Sequence, residues 1–478
     1  MDMNKLREAT SRIWNAETLP ALKTFVSRES LSTDFDPEWE KHGILNEVCR
    51  EAAAWGTRML PRGTYDVQQE PGRTPALIFS VPGTGLYAGR EEDTVFFYGH
   101  LDKQPPATGW SEGLGPFTPV VRDGKLYGRG CSDDGYSVYA ALTAIRALED
   151  AGIPHPRAVG LIETREESGS NDLEHYLKKN AARFGSPRLV CVLDSGAGNY
   201  EQLWLTSSLR GACAIDLNVR VLRQGMHSGT ASGVVPSSFD VLRILLDRIQ
   251  DPRTGAILDP AFNVEIPSNR MDDMKKTAEV LGDGFISEFP WAEGPNGSVQ
   301  SRCCGTEEAL IARCWKPTLS VTGAAGLPPL SMAGNSLRSD TTLRLSFRLP
   351  PTAKTENILP ALQKKLLTDP PFNAVVSIAG GDALPGWNAP SEADWFRSAC
   401  DESSKALWGK PAMRIGEGGS IPILNLFEAQ FPRAQFAVTG VLGPGSNAHN
   451  ADESLDLAYT EKFIAAVGYL AASIPEEA

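Results

Sequence analysis

The sequence predicts an α/β chain: a mixed, mostly parallel sheet with helices on both faces, interrupted by an inserted α+β domain. Three observations carry this. Thr94–Tyr98 (TVFFY), Val159–Ile162 (VGLI), Leu189–Leu193 (LVCVL) and Phe436–Val441 (FAVTGV) are apolar on successive residues, as strands buried on both faces are. Tyr136–Asp150 carries Val138, Leu142, Ile145 and Leu148 at helical spacing and closes at Gly152, so it reads as a crossover helix between the first two runs. From Leu209 to Asp382 the pattern becomes alternation, as in Ala214–Val221 and Thr342–Leu349, the mark of strands with one wet face.

From the N-terminus, Leu6 to Leu60 reads as helix, with Leu22 and Phe25, then Ile44, Val48 and Ala52, at helical spacing around a polar loop at Ser32–Pro37. Inside the insert, Ser238–Ile249 and Glu356–Leu367 read as amphipathic helices, and the Pro/Gly-bearing stretch Gly380–Pro390 returns the chain to helix-and-strand alternation. The expected organisation is residues 1–208 and 383–478 as one domain and 209–382 as the insert, which suits a length of 478 residues.

A formal net charge of −13 speaks against a nucleic-acid partner, which needs clustered Lys and Arg. Met1 leads into Asp2, Lys5, Arg7 and Glu8 without an apolar stretch, and no run is long enough to span a membrane. The eight cysteines are scattered, and Cys303–Cys304 has no CxxC companion, so reduced thiols and a cytoplasmic location are expected.

The chemistry lies just past the ends of the apolar runs. Thr94–Tyr98 leads into His100 and Asp102, Val159–Ile162 into Glu166 and Glu167, Leu189–Leu193 into Asp194, and Phe436–Val441 into a Gly-rich loop ending in His449. Asp133 and Asp134 precede the crossover helix. Singly, each has an ordinary explanation as a turn, cap or solvated residue. Together they fall at one edge of one sheet, where open α/β sheets place their ligands. His100, Asp133, Glu167, Asp194 and His449 form a nitrogen and oxygen set without thiolate, suited to two Zn²⁺, Mn²⁺ or Co²⁺ ions. Three carboxylates leave two divalent ions one positive charge, which a hydroxide nucleophile balances, and one carboxylate must bridge. Asp102 can orient the His100 imidazole. Glu166 can take a proton from the water and return it to a leaving amine.

These motifs resemble the family of aminoacylase, carnosinase, cytosolic dipeptidase and succinyl-diaminopimelate desuccinylase, over about residues 15 to 475. YGHLDKQP (Tyr98–Pro105), LYGRGCSDD (Leu126–Asp134) and TREESGS (Thr164–Ser170) resemble its first ligand motif, its bridging motif and its acidic pair. Asp194 and the His449 of GSNAHNADE match the last two ligands. The resemblance implies Asp133 as the bridge, a cis peptide at Asp133–Asp134, and Glu166 as general base. GMHSG (Gly225–Gly229) resembles the lid motif, which makes the insert a lid and dimerisation domain and His227 an oxyanion donor, contributed to a partner subunit's site in a homodimer. SFRLPP and GEGGSIPI resemble segments that hold a substrate carboxylate, implying Arg348, Gly418, Gly419 and Ser420.

The nearest likeness is to the carnosinase and dipeptidase branch, which implies a di-metal dipeptidase acting on short peptides with a free C-terminal carboxylate. An N-acyl-amino-acid deacylase with the same metals is the alternative. A non-catalytic metal- or peptide-binding relative is the remote one, since every ligand and Glu166 are present. Two departures bear on the pocket. The lysine usual after the Asp pair is absent, with Gly135 and Tyr136 in its place, and GNSLRSD (Gly334–Asp340) lacks the usual Ile-Pro, leaving Asn335 as a polar substrate contact. His42 in a polar loop, His155 between prolines and His175 on a helix face are expected to have no direct role.

Overall fold

The structure, a computed structural model, describes residues 1–421 and 423–475. Pro422 of the GEGGSIPI segment, and residues 476–478 at the end of the expected last segment, lie outside them. The chain divides into two compact units, one of residues 1–206, 389–415 and 423–478, the other of residues 207–388 and 416–422.

The first unit is built on a six-stranded mixed sheet in the order Thr64–Gln68, Ala76–Val81, Arg157–Glu163, Thr94–His100, Pro187–Val192, Gln435–Val438. The three pairings among its last four strands are parallel and the other two antiparallel. The central strand Thr94–His100 is buried at every residue. Phe96 and Tyr98 pack on Phe427 of the helix Ile423–Gln430, on one face. On the other, Gly99 lies so close to the helix Ser137–Asp150 that a Cβ would sit 2.0 Å from Ser137 Oγ. Helices therefore cover both faces, and a strand sealed this way must be apolar on successive residues.

Two strands are longer than their apolar runs. Thr94–His100 gains Gly99 and His100 because both still pair in parallel register, with Ile162 and Glu163. Arg157–Glu163 likewise exceeds VGLI. By contrast the last strand stops at Val438, with one more backbone bond from the Thr439 amide to the Val192 carbonyl. The N-terminal stretch holds three longer helices, Met3–Ile13, Leu19–Val26 and Ile44–Met59, and a short one before the last, the first two joined through a wide π turn at Trp14–Thr18. His42, expected in a loop, ends the short helix Trp39–His42.

The second unit has a four-stranded antiparallel sheet, Thr318–Ala325, Asp340–Leu349, Gly211–Arg220, Val375–Leu384. Ile215, Leu217 and Val219 alternate into a core with Phe347, Val241, Leu245 and Leu362. Those last three residues come from the helices Ser238–Asp247 and Ile358–Leu367. Between them, Asp216 and Arg344 pair across the open face at 2.7 Å.

Candidate metal centre

The parallel strands end within two residues of one another. His100 closes its strand opposite Glu163, and Val192 aligns with both Tyr98 and Val438. The residues just beyond these ends therefore share one edge. Glu166 and Glu167 stand on the short 3-10 turn Glu166–Ser168, Asp194 lies two residues past its strand, and His449 reaches in from the loop after Val438 with a left-handed φ of +63°. Asp133 stands before the crossover helix, and its peptide bond to Asp134 is cis.

Two groups of side chains result, each with ligand atoms within 4.8 Å of one another: His100, Asp133 and Asp194, and Asp133, Glu167 and His449. Asp133 belongs to both. Its Oδ1 lies 3.5 Å from His100 Nε2 and its Oδ2 lies 2.8 Å from His449 Nε2. Asp194 Oδ2 is 3.8 Å from His100 Nε2, and Glu167 Oε2 is 3.5 Å from His449 Nε2. Glu166 Oε2 stands 4.0 Å from His100 Nε2.

The supporting contacts explain these positions. His100 Nδ1 meets the Asp102 main-chain oxygen at 3.0 Å, with the Asp102 carboxylate at 3.4 Å. That carboxylate also accepts the Glu166 and Glu167 amides at 3.1 and 3.0 Å, so Asp102 fixes the acidic turn as well as the imidazole. Asp134 accepts the His100 amide, and Gln104 Nε2 donates to Glu167 Oε2 at 2.7 Å. Behind Asp133, the buried Arg129 and Glu453 pair at 2.7 Å. Sequence reading gave Gln104, Arg129 and Glu453 no role. All three lie within the motifs quoted for the ligands, so proximity in sequence was the available signal. At Gly135, a Cβ would meet Phe25 Cε1 at 1.8 Å. Phe25 fills the place where a longer residue after the Asp pair would begin.

The residues fit divalent cations. His100 Nε2 and Glu167 Oε1 are buried without a hydrogen-bond partner, an arrangement that costs free energy unless something else satisfies them. Burial, then the Asp133 charge, pushes the Asp194 carboxyl up to about 6 and that of Glu167 up to about 10. Burial followed by Asp194 lifts Glu166 well above its ordinary value. Burial also acts on Asp133, but the His100 and His449 imidazoles outweigh it and hold that carboxyl low. A cluster buried on its His100 side and open at His449, with more carboxylate than two imidazoles can balance, is what positive ions complete.

Two further groupings lie in the second unit. Arg348 Nη1 donates to Ser420 Oγ at 3.2 Å, and Arg210 Nε donates to the Gly418 carbonyl at 3.2 Å, which gathers Arg348, Gly418 and Ser420. No neighbour would meet a Cβ at Gly419. His227 is exposed on a two-residue ladder with Ser336, beside Asn335, whose carbonyl accepts the Ser228 amide at 2.9 Å. The other histidines are engaged elsewhere: His42 with Asp36, His155 with the Pro156 carbonyl and His175 with Glu70.

Residues 96–474 match the family model described as peptidase family M20/M25/M40. The Cys-Gly metallodipeptidase dug1 of Schizosaccharomyces pombe is 26% identical over 96% of this chain and 95% of its own. The cysteinylglycine-S-conjugate dipeptidase of Corynebacterium striatum is 26% identical over 95% of this chain and 96% of its own. The crystal structure of human carnosine dipeptidase 1 shares the fold, with a TM-score of 0.74 at 22% identity over 99% of both chains.

Proposed function

The chain belongs to peptidase family M20/M25/M40, and from that premise we propose that it hydrolyses the amide bond of dipeptides or short peptides bearing a free C-terminal carboxylate. One observation carries the reading: the two oxygens of Asp133 face two different histidine-bearing groups. A shared carboxylate between two donor sets is the requirement for a pair of divalent ions. His100, Asp133 and Asp194 would hold one, and Asp133, Glu167 and His449 the other, as Zn²⁺ or Mn²⁺, with Co²⁺ also suited to the set. Such ions supply Lewis acidity that polarises an amide carbonyl and eases loss of a proton from water.

The residues do the rest. Glu166 accepts the proton of the attacking water and delivers it to the amine nitrogen as the C–N bond breaks. Asp102 keeps both His100 and the Glu166 turn in place. His227 donates to the carbonyl oxygen as negative charge develops there, across a homodimer formed through the second unit. Arg348 and Ser420, with Gly418 and Gly419 beside them, take the terminal carboxylate, for which a guanidinium fork is suited. Asn335, next to His227, adds a polar contact to the substrate.

The names of the relatives support dipeptides as the substrate class. All eight cysteines are free, which supports a reducing, cytoplasmic setting. No helix among the described residues is long and apolar enough to cross a membrane. The test is hydrolysis of a mixed library of dipeptides and N-acyl-amino acids by metal-stripped protein, with and without added Mn²⁺ or Zn²⁺. Metal-restored cleavage of dipeptides is expected. Cleavage of the acyl derivatives alone would make the protein an amino-acid deacylase instead, and cleavage that survives metal removal would end the metalloenzyme reading.

A further inference from the structure

We propose that Arg129 and Glu453 are positioning residues, a buried clamp that holds three ligand-bearing segments in register before any cation arrives. The inference rests on the reading of this site as a metal centre and adds two residues to which that reading gives no part. Both side chains are almost completely excluded from solvent, at 1% and 0% exposure.

Glu453 is surrounded by donors. Its Oε1 accepts from the Ser132 amide at 3.1 Å, the Ser132 hydroxyl at 3.0 Å and the Asp133 amide at 3.2 Å. Its Oε2 accepts from Arg129 Nη1 at 2.7 Å and the Gly130 amide at 3.0 Å. Successive backbone amides converging on one anion form a nest, and here the anion is the protein's own. The turn that ends in the shared ligand Asp133 is thus shaped around a carboxylate four residues beyond His449.

Arg129 spreads its fork over the remaining segments. Nε donates to the Pro105 carbonyl and Nη2 to the Asn450 carbonyl, each at 3.0 Å. Pro105 lies on the segment just after His100 and Asp102, and Asn450 is the residue next to His449. One guanidinium therefore touches the His100 segment, the His449 loop and the residue that shapes the Asp133 turn. A planar fork reaches acceptors on three separate segments from three different nitrogens, where a lysine offers a single point.

Stability is a poor reason for such a pair. Desolvating two charges offsets most of their attraction, and well-packed apolar residues often do as well. Register is the better reason, because ligand atoms tolerate only small displacements before affinity falls.

The test is titration of metal-stripped protein with Mn²⁺ against a chelating dye, comparing wild type with Glu453→Gln and Arg129→Lys, each checked for fold by circular dichroism and gel filtration. In folded variants, affinity for Mn²⁺ is expected to fall roughly 10–100-fold, the range for losing a group that orients a ligand. A pair serving stability alone would lower the melting temperature and leave the affinity of the folded protein unchanged, and that result would overturn the clamp. Wild-type protein that binds no divalent ion would overturn the metalloenzyme reading and the clamp with it. Should both variants fail to fold, hydrogen exchange on metal-free wild type decides: the Gly130, Ser132 and Asp133 amides are expected to exchange slowly, and free exchange there overturns the inference.

Discussion

Glu166 is the residue on which turnover should depend most sharply. Its amide is held by Asp102, while its carboxyl, lifted by burial first and Asp194 second, stands at the edge of the His100 group. A group so placed holds protons more tightly than an ordinary glutamate, which suits it to take one and pass it on. Glu166→Gln keeps the shape and removes that capacity. Its turnover should fall about 10²–10⁴-fold, the usual contribution of a positioned base, with metal content by elemental analysis unchanged. Turnover within a few-fold of wild type would remove Glu166 from the mechanism. Mixed with His227→Ala dimers, the Glu166→Gln protein should regain part of the activity, and no recovery would place His227 in its own subunit's site or outside catalysis. The types and places of the acidic and histidine residues that gather at the sheet edge were legible at this scale because strand ends are marked by where apolar runs stop. What Asp102 supports was only half legible. Its nearness to His100 comes from spacing, but its hold on the Glu166 and Glu167 amides depends on how two strands lie side by side.

Elements were legible where burial is uniform, and less so where single polar contacts set the ends. TVFFY announces a sealed strand, yet only pairing with the neighbouring strand extends it to His100. Lys103 is the clearest case of a residue whose environment its neighbours in sequence do not reveal. It sits fully buried three residues beyond His100, with Nζ bonded to the carbonyls of Phe25, Val26 and Arg28 at 3.0, 3.1 and 2.7 Å. Its ammonium also lies 4.2 Å from the centre of the Phe25 ring. Lys103 thereby caps the end of the helix Leu19–Val26 and ties it to the segment after His100. Lys103→Met keeps the length and removes every donor, leaving buried acceptors unpaired at about 1–3 kcal/mol for each that finds no substitute. The expected loss is about 2–4 kcal/mol in urea unfolding, since Phe25 keeps a second partner in the Arg28 amide. A loss below about 1 kcal/mol would mean that the helix end finds other donors.

Across the whole molecule, the net charge of −13 says less than where the charge is buried. Asp102, Asp133, Asp134, Glu163 and Asp194 are all buried around one sheet edge, and sequence alone could count these carboxylates without weighing their mutual repulsion. Their titration sets how stability depends on cations. Asp194 is raised to about 6 and His100 well above its ordinary value. Groups raised in the folded state contribute stability that is full below their unfolded values and is lost as pH rises through the folded ones. Asp133 is lowered, so its contribution is present above its ordinary value and lost only in acid. Metal-free protein should therefore lose stability as pH climbs from about 4 through about 6 and on towards about 10, as Asp194 and then Glu167 give up their protons. Cations replace those protons and compete with them, so their stabilisation should widen over the same range. At a free concentration a thousand times the dissociation constant, it amounts to about 4 kcal/mol. Melting curves of stripped and Mn²⁺-loaded protein at pH 5, 6.5 and 8 would show this as a gap that grows with pH. A gap constant across that range would mean that protons and cations do not share these carboxylates, and a stripped protein as stable as the loaded one at pH 8 would mean that the buried charge is balanced within the chain itself.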